Sequence, residues 1–251
     1  MADQPVIDII IPNFNKAKYL EECLNSIINQ TYKSWIVYLI DDNSNDNSSE
    51  ILKKYEKFEN IKIFKLKKNE GPSYCRNLGI NKSNSQYVAF MDSDDFWPEN
   101  KLAIQIKSMI KNNYSFTYTD FQFFFNNNLK KIKNSHLPLF FDYKKFLIHS
   151  SMSTSSIIVK RELLKDIIFK KVNHEDYLFK CDLLKSGEMA FKINETFVYY
   201  RITNMGRSSS KINNILSLWK INKYHNNLKF LSNLKSISLI SFNSLKKYGW
   251  K

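Results

Sequence analysis

The chain is predicted to take an α/β fold, with a mostly parallel central sheet flanked by helices and a helical C-terminal extension. Three observations predict it. Short β-branched runs alternate with stretches of helical spacing through the first hundred residues, the pattern of βαβ crossovers. Only five Gly and five Pro in 251 residues argue against a turn-rich β-sandwich and against a disordered chain. Strands also run straight into acid clusters, as when 87–95 reads Tyr-Val-Ala-Phe-Met-Asp-Ser-Asp-Asp. Open α/β sheets place their ligands at such carboxyl edges.

The elements follow in order. Residues 6–11 are a β-branched run closed by Pro12, read as a buried strand. Leu20, Cys23, Leu24, Ile27 and Ile28 recur at helical spacing within 17–30. A strand over 35–40 ends at Asp41 and Asp42, and a helix over 48–58 carries Ile51, Leu52 and Tyr55 on one face. A strand over 61–66, a break at Gly71 and Pro72, a helix near 76–81 and the strand ending at Asp92 complete this half.

The second half is less regular. It predicts a helix over 101–112, a strand over 115–119, and an aromatic run 121–125 leading into a polar hairpin or loop at 126–131. Further strands fall at 156–159 and 190–193, with a helix over 175–185 stopped by Gly187. From 211 to 251 the spacing is helical, with Ile215, Leu218, Trp219 and Ile221, then Phe230, Leu231, Leu234 and Ile237. One domain over 1–210 and a basic extension over 211–251 are therefore expected, the stripe packing on the body or lying on a membrane.

Composition narrows the function. Cys23, Cys75 and Cys181 are far apart, with no zinc-type spacing, which points to a reducing compartment. The start carries no basic n-region, and no apolar run approaches the ~20 residues of a spanning helix. The expectation is a cytoplasmic protein, soluble or at the inner face of the membrane. The net charge of +14 suits an anionic membrane or a nucleic acid. Abundant Lys, Asn, Ile, Phe and Tyr would also arise from AT-rich coding DNA. No RNA-binding aromatic motif, zinc finger or helix-turn-helix is present, so no nucleic-acid partner is expected.

Three acidic sites carry the chemistry. Asp41 and Asp42 end a strand where a carboxylate accepts hydrogen bonds from a base or ribose, though the same run is a good turn. Asp92, Asp94 and Asp95 repel one another unless a cation sits among them. Oxygen-only ligands favour Mg²⁺ or Mn²⁺, commonly bridged to a diphosphate. The alternative is a solvated turn in which Ser93 or Asp95 caps a helix. Glu175 and Asp176 open a helix, where an acid serves as a general base or complements the helix dipole.

Taken together, these motifs resemble family 2 glycosyltransferases, which have the GT-A fold, a Rossmann-like sheet. The resemblance rests on Ile9 to Asn15, Leu20 to Tyr32, Ile40 to Ser44, Gly71 to Ile80, the DxD-like run Phe90 to Asp95, Thr154 to Ile157, and His174 to Tyr177. It is dense over 6–104 and sparser to about 205. It implies a nucleotide-sugar-binding half (about 1–104) and an acceptor-binding half (105–210).

The resemblance also implies roles. Pro12 and the loop to Asn15 would border the base, and Asp42, with Asp41, would bind base or ribose. Arg76 would sit near the nucleotide and Asp92 near ribose or sugar. Asp94 would bind Mn²⁺ or Mg²⁺, with adjacent Asp95 the other candidate. Asp176 would be the catalytic base, positioned with Glu175. The implied reaction inverts the anomeric centre of a nucleotide sugar, a UDP-sugar first, on a hydroxyl of a glycan or lipid-linked acceptor in bacterial surface-polysaccharide synthesis. The family often carries a His where this chain has Asn204; Arg201 or Arg207 would neutralise phosphate instead, with a surface salt bridge the alternative for either.

Rival readings make different demands. A sugar-phosphate nucleotidyltransferase would need a Gly-rich loop after the first strand, and Pro12 to Lys16 has no Gly. A phosphohydrolase with an aspartyl nucleophile would carry its DxD at the first strand, not near the fourth. A non-catalytic basic module binding membrane or nucleic acid would show no response to UDP-sugars.

Overall fold

The computed structural model describes residues 4–125, 128–130, 137–202 and 211–248. Its first half contains β1 (Ile7–Asn13), α1 (Ala17–Ile28), β2 (Trp35–Asp41), α2 (Ser48–Lys53), β3 (Ile61–Lys65), α3 (Pro72–Lys82), β4 (Tyr87–Phe90) and α4 (Lys101–Asn112). The second half contains β5 (Phe116–Phe125), β6 (Asn128–Lys130), β7 (Phe140–Phe141), α5 (Tyr143–His149), β8 (Ile158–Lys160), α6 (Glu175–Lys185), β9 (Ala190–Arg201), α7 (Lys211–Tyr224) and α8 (Phe230–Tyr248).

One sheet joins both halves in the order β3-β2-β1-β4-β8-β5-β9-β7, with β6 paired to β5. Strands β1 to β4 are mutually parallel, as the alternation predicts. Beyond them β8 runs antiparallel to both β4 and β5, β9 returns parallel to β5, and β7 closes the edge antiparallel. All residues of β4 and all but one of β1 are buried, since helices cover both faces of this region. Helix α3 lies so close that a Cβ on Gly79 would stand 2.5 Å from Ile10 Cγ2 and 3.0 Å from Ile40 Cδ1.

Several expectations change. Pro12 does not close β1 but lies inside it, opposite Ile40. The carbonyl of Ile10 accepts from Met91 N at 3.0 Å on the β4 side. Strand periodicity turns the N–H that Pro12 lacks to that same side, where β4 has already ended at Phe90. The helix over 48–58 stops at Lys53, and the chain turns back to β3 with the Tyr55 and Phe58 rings stacked at 5.9 Å. The strand expected over 156–159 begins later, as β8, because Ser156 closes a 3-10 turn over Thr154–Ser156 with its Oγ bonded back to Ser153 O at 2.7 Å. The polar run after β5 is a hairpin where it is described, with Phe125 opposite Asn128.

The C-terminal extension is two helices. Their break follows Asn222, whose side chain accepts from Asn226 Nδ2 at 2.9 Å and whose carbonyl accepts from Leu228 N, while Asn227 takes φ 53°. Both helices pack on the second half of the chain. Tyr177 Oη donates to Asn222 Oδ1 at 2.9 Å, and Asn243 Nδ2 donates to Ile148 O at 3.0 Å. No helix among the described residues is long and apolar enough to cross a membrane.

Candidate active site

The carboxyl edges of β1, β2 and β4 carry most of the expected residues. At the end of β2, Asp41 accepts from Asn13 Nδ2 at 2.7 Å and from Ser44 Oγ at 2.6 Å. Asp42 accepts from the backbone N–H groups of Glu70 and Gly71 at 2.7 and 2.9 Å. Both acids are nearly fully buried. Each therefore holds a loop: Asp41 ties β1 to the turn after β2, and Asp42 fixes the entry to α3. Gly71 takes φ 88° there, a conformation that side chains resist. Asn15, also in the left-handed region, accepts from Asn45 N at 2.9 Å, and Pro12 is half-buried beside them.

The loop after β4 separates its three aspartates. Asp95 is 1% exposed, with one oxygen accepting from Ser155 Oγ at 2.5 Å and the other from Arg201 N at 3.0 Å. Burial, and then the charges of Asp94 and Asp92, push its carboxyl well above the ordinary range. Asp94 is more open and pairs with Lys16 Nζ at 2.6 Å. Asp92 accepts from Arg76 Nη2 at 2.6 Å, while its own backbone N–H donates to Ser155 Oγ at 3.0 Å. Ser155 thus braces two aspartates of one loop. Arg201, at the end of β9, donates from Nε to Asp94 O at 2.9 Å and pairs with Glu22 on α1. It is a buried clamp on the aspartate loop, not a surface salt bridge. Asn204 and Arg207 lie outside the described residues.

Helix α6 supplies the third acidic site, its start fixed by His174 in the left-handed region. Arg76 bridges the halves: Nη1 donates to Glu175 Oε1 at 3.1 Å while Nη2 holds Asp92. Burial opposes this guanidinium's charge, but Asp92 and Glu175 outweigh it and raise its pKa. Asp176 keeps 37% of its side chain exposed and accepts from Lys180 Nζ at 2.8 Å. Burial acts to raise its pKa. The Lys180 charge and hydrogen bond, then Arg76 and His174, overcome that and hold the carboxyl well below its ordinary value.

The structure brings Asp92, Glu175 and Arg76 into direct contact, with Asp176 joined to Ser155's turn through Thr154 Oγ1 at 3.4 Å. Asp41 and Asp42 sit one strand away, reached through β1 and the loop bearing Lys16. Lys16, Ser155 and Lys180 are additions to the residues expected from sequence. The signal for Lys180 was its spacing, one helical turn after Asp176. Ser155 lay inside the Thr154 to Ile157 segment, and Lys16 in the loop after Asn15.

Among the described residues, no three His, Cys, Asp or Glu side chains are grouped to hold a metal ion by themselves. Asp92 and Asp94 offer two hard oxygen donors, each with one carboxylate oxygen engaged by a cationic side chain. That donor set suits Mg²⁺ or Mn²⁺ completed by substrate phosphates and water, the usual way such ions bind beside a nucleotide. The residues fit the cation on these terms.

Comparison with known proteins identifies the family. The family model for glycosyl transferase family 2 matches residues 8–168. A putative teichuronic acid biosynthesis glycosyltransferase, TuaG of Bacillus subtilis, is 28% identical over 97% of this chain and 98% of its own length. The UDP-Glc:alpha-D-GlcNAc-diphosphoundecaprenol beta-1,3-glucosyltransferase WfgD of Escherichia coli is 29% identical over 87% of this chain and 86% of its own. Among solved structures, S. aureus TarS 1-349 in complex with UDP-GlcNAc superposes with a TM-score of 0.74 at 19% identity, over 98% of this chain and 73% of that one. The chain belongs to glycosyl transferase family 2 and is a glycosyltransferase with the GT-A fold.

Proposed function

We propose that this enzyme transfers a sugar, with inversion, from a UDP-sugar to a hydroxyl of a glycan or lipid-linked acceptor during assembly of a bacterial surface polysaccharide. The observation that carries the reading is the Arg76 bridge, which holds Asp92 of the aspartate loop beside Glu175 at the start of the helix bearing Asp176. A donor-side loop and a base-side helix are thereby kept in one register. The names of TuaG and WfgD support the polysaccharide setting, and WfgD's name supports a UDP donor and a diphosphoundecaprenol acceptor.

In this reading Asp176, ionised and partly open, accepts the proton of the acceptor hydroxyl as its oxygen attacks the anomeric carbon. Attack opposite the departing diphosphate inverts that carbon. Asp94, with Asp92, would hold Mn²⁺ or Mg²⁺, which when bound would supply charge neutralisation on the departing diphosphate. Lys16 balances the charge of Asp94 at this site. Asp95 braces the loop, a role its burial and saturated hydrogen bonds favour over ligation. Asp41 and Asp42 shape the base and ribose site through the loops they hold, and Pro12 and Asn15 border it.

Calorimetry with UDP and Mn²⁺ tests the roles. Asp176→Asn should bind UDP as the parent does yet transfer no sugar, while Asp94→Ala should lose the Mn²⁺-dependent part of UDP binding. The opposite pattern would reverse the assignments. A panel of UDP-, GDP- and dTDP-sugars, read by thermal shift and hydrolysis, tests the donor, and stabilisation by GDP-sugars alone would overturn the uridine choice.

A further inference from the structure

The α7–α8 hairpin buries Ile221, Ile237 and Ile240, yet it also buries a polar network and leaves large apolar residues outside. Its protein-facing side is rich in amides and hydroxyls: Asn222, Asn226, Asn233 and Ser236 are all buried. They bond to one another and to the body, with Asn222 Nδ2 to Ser236 Oγ at 3.0 Å and Asn233 Nδ2 to Trp219 O at 3.0 Å. Its outward side carries large apolar residues instead. Ile212, Leu216, Phe230 and Leu231 are 71, 52, 67 and 76% exposed, joined by Ile215 and Leu234. Trp219 and Phe230 meet edge-to-face at 5.5 Å, which links the two helices' outward stripes.

Exposed apolar residues scattered singly need no explanation, but a band along two adjacent helices marks a contact surface. Charge selects the partner. Residues 211–251 contain eight Lys and neither Asp nor Glu. Lys220, Lys223 and Lys235 are exposed on the same two helices, and Lys229 is exposed in the turn between them. Apolar side chains rimmed by long cationic ones are what an anionic bilayer surface accepts: the stripe enters the acyl boundary while ammonium groups reach the headgroups. A protein partner would call for acids or hydrogen-bonding groups as well.

We propose that the α7–α8 hairpin docks this enzyme on an anionic lipid surface. The proposal stands apart from the choice of donor and acceptor, because it concerns only the outward apolar side of the hairpin. Co-sedimentation of the full chain with phosphatidylcholine vesicles, with and without phosphatidylglycerol, provides the test. Binding is expected only to the anionic vesicles, weakening as salt rises. Leu216→Ser combined with Leu231→Ser should lower that binding by about tenfold or more at an unchanged melting temperature. Lys220→Glu combined with Lys229→Glu should abolish the preference for anionic lipid. No binding of the parent chain to anionic vesicles, or equal binding by the serine variant, would overturn the proposal. So would self-association in ultracentrifugation that the serine variant abolishes without vesicle binding, because the face would then join two copies of this chain.

Discussion

Lys180 Nζ donates to Asp176 Oδ2 at 2.8 Å, one turn further along α6, and also to Met152 O at 2.7 Å and Thr154 Oγ1 at 3.3 Å. The Lys180 side chain is only 2% exposed, and these three acceptors engage all of its donors. Asp176 is thereby ionised well below its ordinary value of 3.8. Its depressed folded pKa adds stability that is fully present above the unfolded value and is lost as pH falls towards the folded one. Lys180→Met removes the nearest opposing charge and leaves burial to act, so the carboxyl pKa rises. The acidic limb of the kcat/KM profile should then move to higher pH, with kcat down about tenfold and UDP affinity unchanged. An acidic limb that stays in place would reduce Lys180 to packing.

Asp94 and Asp95 should separate cleanly in stability measurements. Asp95→Ala removes the acceptor of both Arg201 N and Ser155 Oγ inside a buried site and should cost about 2 kcal/mol. Asp94→Asn loses only a part-exposed pair with Lys16, worth about 0–1 kcal/mol, and relieves repulsion on Asp95. Urea melts with and without Mn²⁺ and UDP read both terms. Equal losses of stability, or a ligand-induced gain that survives in Asp94→Asn, would contradict the division.

Arg76→Lys tests the bridge between halves. The guanidinium reaches Asp92 and Glu175 at once while stacked 5.1 Å over Phe169. A lysine has one nitrogen and no planar fork, so it cannot hold both acids. One carboxylate is left poorly paired, Glu175 being largely buried, at a cost of about 3 kcal/mol. Turnover should fall with stability, because the helix bearing Asp176 loses its tie to the aspartate loop. A urea midpoint unchanged in Arg76→Lys would show that the bridge is dispensable.

Elements with local punctuation were legible in the sequence. Helix α4 runs Lys101–Asn112 and α6 runs Glu175–Lys185 as expected, since apolar spacing, acids in the first turn of α6 and Gly187 are local signals. Helix α5 is seven residues, too short to establish a period. Strand β9 extends to Arg201 because it pairs β5 across a register shift at Thr119 and Asp120, which only the partner strand dictates. The motif located the aspartate loop but could not rank Asp94 against Asp95. Two identical side chains differ here only through Ser155 and Arg201, brought in from distant parts of the chain.

Gly79 sets how closely α3 can approach the sheet. Alanine would gain about 1 kcal/mol of helix propensity. Its Cβ, however, would stand 2.5 Å from Ile10 Cγ2 on a fully buried strand, and overpacking of this kind costs about 1–3 kcal/mol. The clash is with a branched side chain held between β2 and β4, so relief requires α3 to lift. Gly79→Ala should therefore destabilise the fold by about 1–2 kcal/mol net and weaken UDP binding, because α3 carries Arg76 away from Asp92 and Glu175. Ile10→Ala removes the opposing atoms at its own cavity cost. In the double variant the two losses should sum to less than their separate values, with UDP binding partly restored. Strict additivity would mean that the helix and strand do not meet at this point.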